Sequence, residues 1–239
     1  MRILALVALM STLQAVATEE PEAALAPFVA EYDVRYGRMA VGSSRTELAR
    51  AALPGRWIIE SRSTASGLAR MIASGTLKQR STFDFEADAV RPQSYLFDDG
   101  TDRTNRDVTL EFDWRGGSVR GTAEDEPVEL PVTPGLQDAA SMQALVLARL
   151  RAGIEPGPVS MIEKDKIKHY RYTFLRHETL KTAIGEFETV VYRSARDGSD
   201  RETISWHAPK LGFVLVQAEQ RSAGKRGFQT YIRKFQPSD

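Results

Sequence analysis

Two hydrophobic periods run through this chain, and one of them appears only once. Over most of its length apolar and polar residues alternate, as in a strand with one face in a core and the other in water. In FVAEYDVRY, Phe28, Ala30, Tyr32, Val34 and Tyr36 share one face, while Val29, Glu31, Asp33 and Arg35 take the other. DVTLEFDW repeats the pattern with Val108, Leu110, Phe112 and Trp114. In the second half, HYRYTFLRHETL sets Tyr170, Tyr172 and Phe174 against His169, Arg171, Thr173, Leu175 and His177. Turn signals such as Pro54-Gly55, Asp99-Gly100, Gly116-Gly117 and Asp197-Gly198 cut the chain between these runs. They predict about eleven strands joined by short connections. No strand–helix–strand alternation and no fixed repeat is visible, so successive strands are expected to pair as a mostly antiparallel sheet.

The exception is LQDAASMQALVLARLRAG at residues 136–153, which is apolar nearly all round a helical wheel from Ala139 to Leu150. Asp138 suits an N-cap and Gly153 a C′ position, with Arg149 and Arg151 placed to favour the helix dipole. The run is too short for a membrane span, which needs ~20 residues, so its apolar surface must lie against protein. An antiparallel sheet of this size curls and leaves a concave apolar face to be covered. The predicted fold is therefore mainly β: one large, strongly curved antiparallel sheet, half-barrel or barrel-like, with a single apolar α-helix on its concave face. Two roles for the helix stay open. It fills a core, or it acts as a lid or plug over a cavity for an apolar ligand. In the second case the candidate ligand-binding residues are Trp57, Tyr95, Trp114, Met142, Leu145, Tyr170, Tyr172, Phe174 and Trp206. Aromatics alternating on strands also serve as ordinary core.

The N-terminus reads as a signal peptide over residues 1–17. Arg2 supplies the charge, ILALVALM the apolar stretch, and Ala15-Val16-Ala17 the small-x-small cleavage pattern. TEEPEAALAP at 18–27 is expected to be a linker, and 28–236 a single β-rich domain. The chain has no cysteine. That removes disulfides, thiol catalysis and cysteine-based zinc sites, and also the acylated cysteine of bacterial lipoproteins. The expected location is the periplasm, without a lipid anchor, or the exterior of a single-membrane host. No membrane span is expected in the mature chain. Lysines and arginines number 32 against 32 aspartates and glutamates; this balance argues against nucleic acid and against anionic membrane surfaces.

Chemical motifs are scarce. His169 and His177 lie eight residues apart on one strand face, about 26 Å at ~3.3 Å per residue, too far to share a metal. HExxH, GxSxG and phosphate-loop motifs are absent from the sequence. His207, beside Trp206, is the best candidate general base; its plainer reading is a partly exposed strand-end residue. The acid runs FDDGTD (97–102) and AEDEP (123–127) read as solvated loops. Paired acids could also serve glycoside hydrolysis, but FDDGTD lacks the ligand spacing of a calcium-binding EF-hand. Lys164, Lys166 and Lys168 alternate on one strand face, guarding a sheet edge or forming a phosphate or headgroup patch. No cofactor and no metal is expected.

The segments quoted above, in their order, resemble a family of bacterial exported proteins known as domain of unknown function 3108. The matching stretches are VRYGRMAVGSSRTEL, SGLARMIASGTLKQRSTFDF, RPQSYLFDDGTDRTNRDVTLEFDW, LQDAASMQALVLARL, KHYRYTFLRHETLKTAIGEFETV and WHAPKLGFVLVQAEQ. They run from roughly Tyr32 to Gln220. The resemblance implies no activity and no catalytic residues. A weaker, fold-level resemblance is to periplasmic lipoprotein carriers, whose curved sheet grips acyl chains beneath several helices; only one clear helix is visible in this sequence. The function expected is a non-enzymatic periplasmic binding or carrier protein for an apolar or amphipathic, lipid-like ligand, in cell-envelope maintenance. The alternatives are an envelope hydrolase acting on a glycan or ester, and a structural or assembly partner that binds an envelope protein through a sheet edge.

Overall fold

A computed structural model describes residues 25–67, 70, 75–86 and 89–238. The expected signal peptide and most of the expected linker lie outside the described residues. At the described end of that linker, Leu25 is fully buried.

The strands are β1 (Phe28–Tyr36), β2 (Met39–Arg50), β3 (Arg56–Ala65), β4 (Thr76–Glu86), β5 (Ala89–Asp98), β6 (Val108–Asp113), β7 (Ser118–Ala123) and β8 (Glu126–Pro131). The helix α1 (Ser141–Arg151) follows. Then come β9 (Pro158–Glu163), β10 (Lys166–Thr182), β11 (Gly185–Arg196), β12 (Arg201–Ala208), β13 (Val214–Ser222) and β14 (Lys225–Pro237). All fourteen form one sheet in the order β8 to β1, then β14 down to β9, and every pairing is antiparallel. Fourteen strands exceed the eleven or so that punctuation predicts; β9, behind Pro156-Gly157-Pro158, is one that it hides.

The topology is two meandering arms joined at the middle by the first and last strands. Phe28 pairs with Pro237 and Tyr36 with Phe228. The edges β8 and β9 do not pair, so the sheet curls without closing. The chain between them occupies the gap. Val132 N–H donates to Gly117 O (3.0 Å), Gln137 N–H to Ser160 O (2.9 Å), and Ile162 N–H to Gln137 O (2.8 Å).

That connection delivers α1 into the concave face, as the sequence predicts. Ala144, Leu145, Val146, Leu147, Ala148 and Leu150 are all buried. Both helix ends are built as expected. Asp138 Oδ1 accepts the N–H groups of Ala140 (2.9 Å) and Ser141 (2.8 Å), and Oδ2 accepts Ser81 Oγ–H (2.7 Å). At the other end Gly153 sits at φ +70°. Its N–H donates to Leu150 O (3.1 Å) and that of Ile154 to Arg149 O (2.8 Å), the paired bonds of a Schellman cap.

Two local expectations fail at a turn and a bulge. Lys164 does not share a strand face with Lys166 and Lys168; it lies in the β9–β10 turn at φ +58°, bonded to Glu124 Oε1. The strand after it is not the sheet edge at these lysines either, because β9 covers its first third from Lys166 to Arg171. In β10, Phe174 opposes Tyr192 while Arg176 opposes Val191, which leaves Leu175 as an extra residue. An extra residue reverses the side-chain phase. His169 and His177 are therefore on opposite faces, and His177 packs against Phe174 at 5.1 Å between ring centroids.

Candidate functional site

The helix does not fill the concavity completely. A cavity of about 170 Å³ remains between α1, the β1–β3 part of one arm and the β10–β13 part of the other. Its apolar wall includes Phe28, Ile59, Val146, Leu147, Phe213 and Leu215. Its polar wall arises from period two. Thr203, Ser205 and His207 alternate along β12, and Ser194 lies beside Thr203 on β11. Among the described residues, no carboxylate, lysine or arginine lines it.

His207 is the most constrained group there. It is buried, 7% exposed, rather than the partly exposed strand-end residue its sequence position suggests. Nδ1 lies 3.1 Å from Phe213 O, and Nε2 lies 3.0 Å from Ser205 Oγ. A carbonyl can only accept, so Nδ1 carries the proton and Nε2 accepts from the Ser205 hydroxyl. Burial pushes the imidazole down to about 4, with the Phe213 carbonyl opposing the shift. Tyr32 O–H donates to Leu215 O (3.1 Å). The Tyr172 phenol is pushed up to about 12, mainly by burial, with a hydrogen bond to Ser194 acting against it.

Two further clefts adjoin α1. One, of about 520 Å³, is bounded by Trp114, Val132, Leu145, Arg91 and Arg149. Buried Gln137 lies in its wall, with Nε2 donating to Val90 O (2.9 Å). The other, of about 420 Å³, is bounded by Pro27, Phe28, Leu147, Arg151, Lys210 and Phe213.

Of the nine candidates read from sequence, only Tyr172 lines the inner cavity, while Trp114 and Leu145 line the larger cleft. Trp57 is a core residue of β3 with the Arg50 guanidinium 4.7 Å from its ring centre. Tyr95 is buried on β5, and Met142 packs at the edge of the core. Tyr170 is half-buried, its hydroxyl 3.5 Å from Glu163 Oε1. Phe174 is 38% exposed against Tyr192. Trp206 points to the face opposite His207, where Nε1–H donates to Glu178 Oε2 (3.1 Å). Sequence reading misses Ser194, Thr203 and Ser205. Their signal is small hydroxyls alternating on a strand face otherwise expected to be apolar. The acids of FDDGTD do converge, since Asp98 and Asp99 meet Asp107. Their oxygens accept loop N–H groups from Gly100, Thr101 and Asp99, the loop role expected of them.

Comparison with known proteins is decisive at the family level. The model of the family described as "Protein of unknown function (DUF3108)" matches residues 31–224. The chain belongs to this family. No curated protein matches it. Among solved structures, a β-barrel-like protein of domain of unknown function DUF1849 from Brucella abortus is similar, with a TM-score of 0.59 and 11% identity. That match covers 90% of this chain and 99% of the other. The likeness establishes a shared β-barrel-like fold for this DUF3108 member. A protein from Bacteroides fragilis NCTC 9343, provisionally named an exported protein with a YmcC-like fold, has a TM-score of 0.39 at 9% identity, covering 87% of this chain and 95% of its own. A provisionally named lipoprotein from Parabacteroides distasonis ATCC 8503 has the same TM-score at 10% identity, covering 89% and 96%. No helix among the described residues is long and apolar enough to cross a membrane.

Proposed function

We propose that this DUF3108 protein is an exported, non-enzymatic binding or carrier protein that holds the apolar end of an amphipathic ligand between α1 and the sheet. The observation that carries the reading is the cavity of about 170 Å³, apolar on one wall and hydroxyl-bearing on the other. An engineered cavity of ~150 Å³ with a purely apolar lining takes up benzene, so a space of this size accepts a short alkyl or aryl end. Ligand sites combine a mostly apolar wall with a few placed polar groups, and Ser194, Thr203 and Ser205 supply them.

The Ser205–His207 contact invites a hydrolytic reading, because a hydroxyl beside an imidazole is the start of nucleophilic catalysis. The surroundings argue for a structural role. To act as a base, His207 must become an imidazolium, which in a Ser-His-Asp triad is stabilised by a buried carboxylate. Here Nδ1–H meets only the neutral Phe213 carbonyl, and burial disfavours the charged ring.

The test is native mass spectrometry of the exported protein purified without detergent, followed by isothermal titration with dodecanol. A bound apolar molecule, or saturable binding of one alcohol per chain, supports the reading. Protein that is consistently ligand-free and gives no heat with dodecanol refutes it.

A further inference from the structure

Of the large apolar side chains that face solvent, three stand together at one end of the sheet. Register places Tyr36 opposite Met39 of β2 on one flank and opposite Phe228 of β14 on the other. Directly opposed residues share a sheet face, so the three form a row across neighbouring strands. Met39 is 64% exposed, Tyr36 and Phe228 50% each. The Tyr36 and Phe228 rings meet edge to face, 5.2 Å between centroids. Alternation along β1 puts Tyr36 on the side of Phe28 and Tyr32, both of which line the inner cavity. Burial falls along that face from Tyr32 through Val34 to Tyr36. The row is therefore a lip at the rim of the concave face.

Two tight turns frame this lip, and both are basic. Tyr36 pairing with Met39 closes one over Gly37-Arg38, and Ser222 pairing with Lys225 closes the other over Ala223-Gly224. The segments read RYGRM at 35–39 and SAGKRGF at 222–228, which hold Arg35, Arg38, Lys225 and Arg226 and no acid. Arg38, Lys225 and Arg226 are exposed, while the Arg35 guanidinium lies 5.2 Å from the Tyr231 ring centre. Farther along the same strands, Asp33 faces Arg233, and buried Glu219 is shared between Arg221 and Arg226. The 32-to-32 balance of the whole chain thus conceals a local excess of positive charge.

We infer that this lip docks on an anionic membrane surface, with Tyr36, Met39 and Phe228 entering the headgroup layer and Arg38, Lys225 and Arg226 meeting the lipid phosphates. Amphipathic aromatic rings settle at the membrane–water interface, and cations beside an apolar tip add attraction to anionic lipids. A second protein fits less well. Three side chains on two hairpin tips fall far short of the ~20–30 residues that a stable protein interface uses on each side. The inference stands independently of the cavity reading, and it brings the rim of the concave face to the bilayer.

Co-sedimentation of the exported protein with vesicles of equal parts phosphatidylcholine and phosphatidylglycerol, beside vesicles of phosphatidylcholine alone, decides it. At low salt the protein is expected to bind the mixed vesicles about tenfold or more tightly, and added salt to shrink the difference. Arg38→Gln with Lys225→Gln is expected to weaken binding to the mixed vesicles about ten- to thirtyfold. Met39→Ser with Phe228→Ser is expected to weaken it about tenfold or more. All four positions are exposed, so the urea midpoint of each variant stays near that of the wild type. Binding to neither vesicle, or equal binding to both, overturns the inference, as does mixed-vesicle binding that both double variants retain. Dimers in sedimentation velocity that Met39→Ser with Phe228→Ser abolishes would assign the lip to a second copy of the chain and overturn it as well.

Discussion

Two buried groups beside the helix titrate with opposite sign, and their opposition yields a sharp prediction. Asp138 is fully buried at the start of α1. Burial lifts its carboxyl from 3.8 to about 6, against hydrogen bonds from Ser141, Ser81 and Ala140. The folded state then holds this proton more tightly than the unfolded chain. The contribution is fully present below about pH 4 and is lost as pH rises through 6. A shift of about two units corresponds to roughly 3 kcal/mol. His207 behaves inversely. Its imidazole falls from 6.5 to about 4, so its contribution is present above 6.5 and lost as pH falls towards 4, again by roughly 3 kcal/mol. Across pH 4–6.5 the two slopes offset each other. Asp138→Asn removes one of them. The amide oxygen still accepts the N–H groups of Ala140 and Ser141, and the charge is gone. Relative to the wild type, the variant is expected to gain about 3 kcal/mol between pH 4 and pH 7. Urea unfolding followed by tryptophan fluorescence, in half-unit pH steps, measures this. Other titrating groups are common to both proteins and cancel in the difference. A gap between variant and wild type that does not change with pH, or that closes as pH rises, refutes the assignment of a raised carboxyl at Asp138.

Three further outcomes follow from the packing. Leu145→Ala removes a side chain 4% exposed on the helix face towards the sheet, and is expected to lower stability by about 2–5 kcal/mol, read as a drop in denaturation midpoint. Ser205→Ala leaves His207 Nε2 buried without its donor and is expected to cost about 1–3 kcal/mol in the same assay; an unchanged midpoint would show that the contact carries no net energy. Phe213→Gly relieves about 1–2 kcal/mol of left-handed backbone strain and removes a ring from the cavity wall, so stopped-flow measurement of dodecanol association is expected to show faster binding than in the wild type.

Much of the architecture is legible in the sequence because it rests on periodicity. Period two in β1 correctly sends Phe28, Ala30 and Tyr32 inward, all buried, and the nearly continuous apolar surface of α1 correctly requires a place inside the sheet. The caps are legible too, since Asp138 and Gly153 are residue types with few other uses at helix ends. Bulges escape such reading. Leu175 in β10 shifts the phase of everything after it, and nothing in HYRYTFLRHETL marks it. The wall of the cavity is less legible for a different reason. Aromatic bulk marks core and pocket alike, so Trp57 and Tyr95 look as promising as Tyr172. The groups that give the cavity its polarity are serines and threonines that composition treats as ordinary. The cations of the smaller cleft beside α1 come from two distant segments, one at the end of α1 and one after β12, and only the curl of the sheet brings them together.

The most direct test of a ligand space clasped between the lone helix and the curved sheet is a methyl-resolved NMR titration of the full chain with dodecanol. Saturable shifts are expected at the methyl groups of Ile59, Val146, Leu147, Val214 and Leu215, which line the cavity, with those of Val108, Leu110 and Val119 in the far arm unmoved. Methyl groups of the cavity that stay unchanged at saturating alcohol, or shifts spread evenly over the whole sheet, would contradict the account.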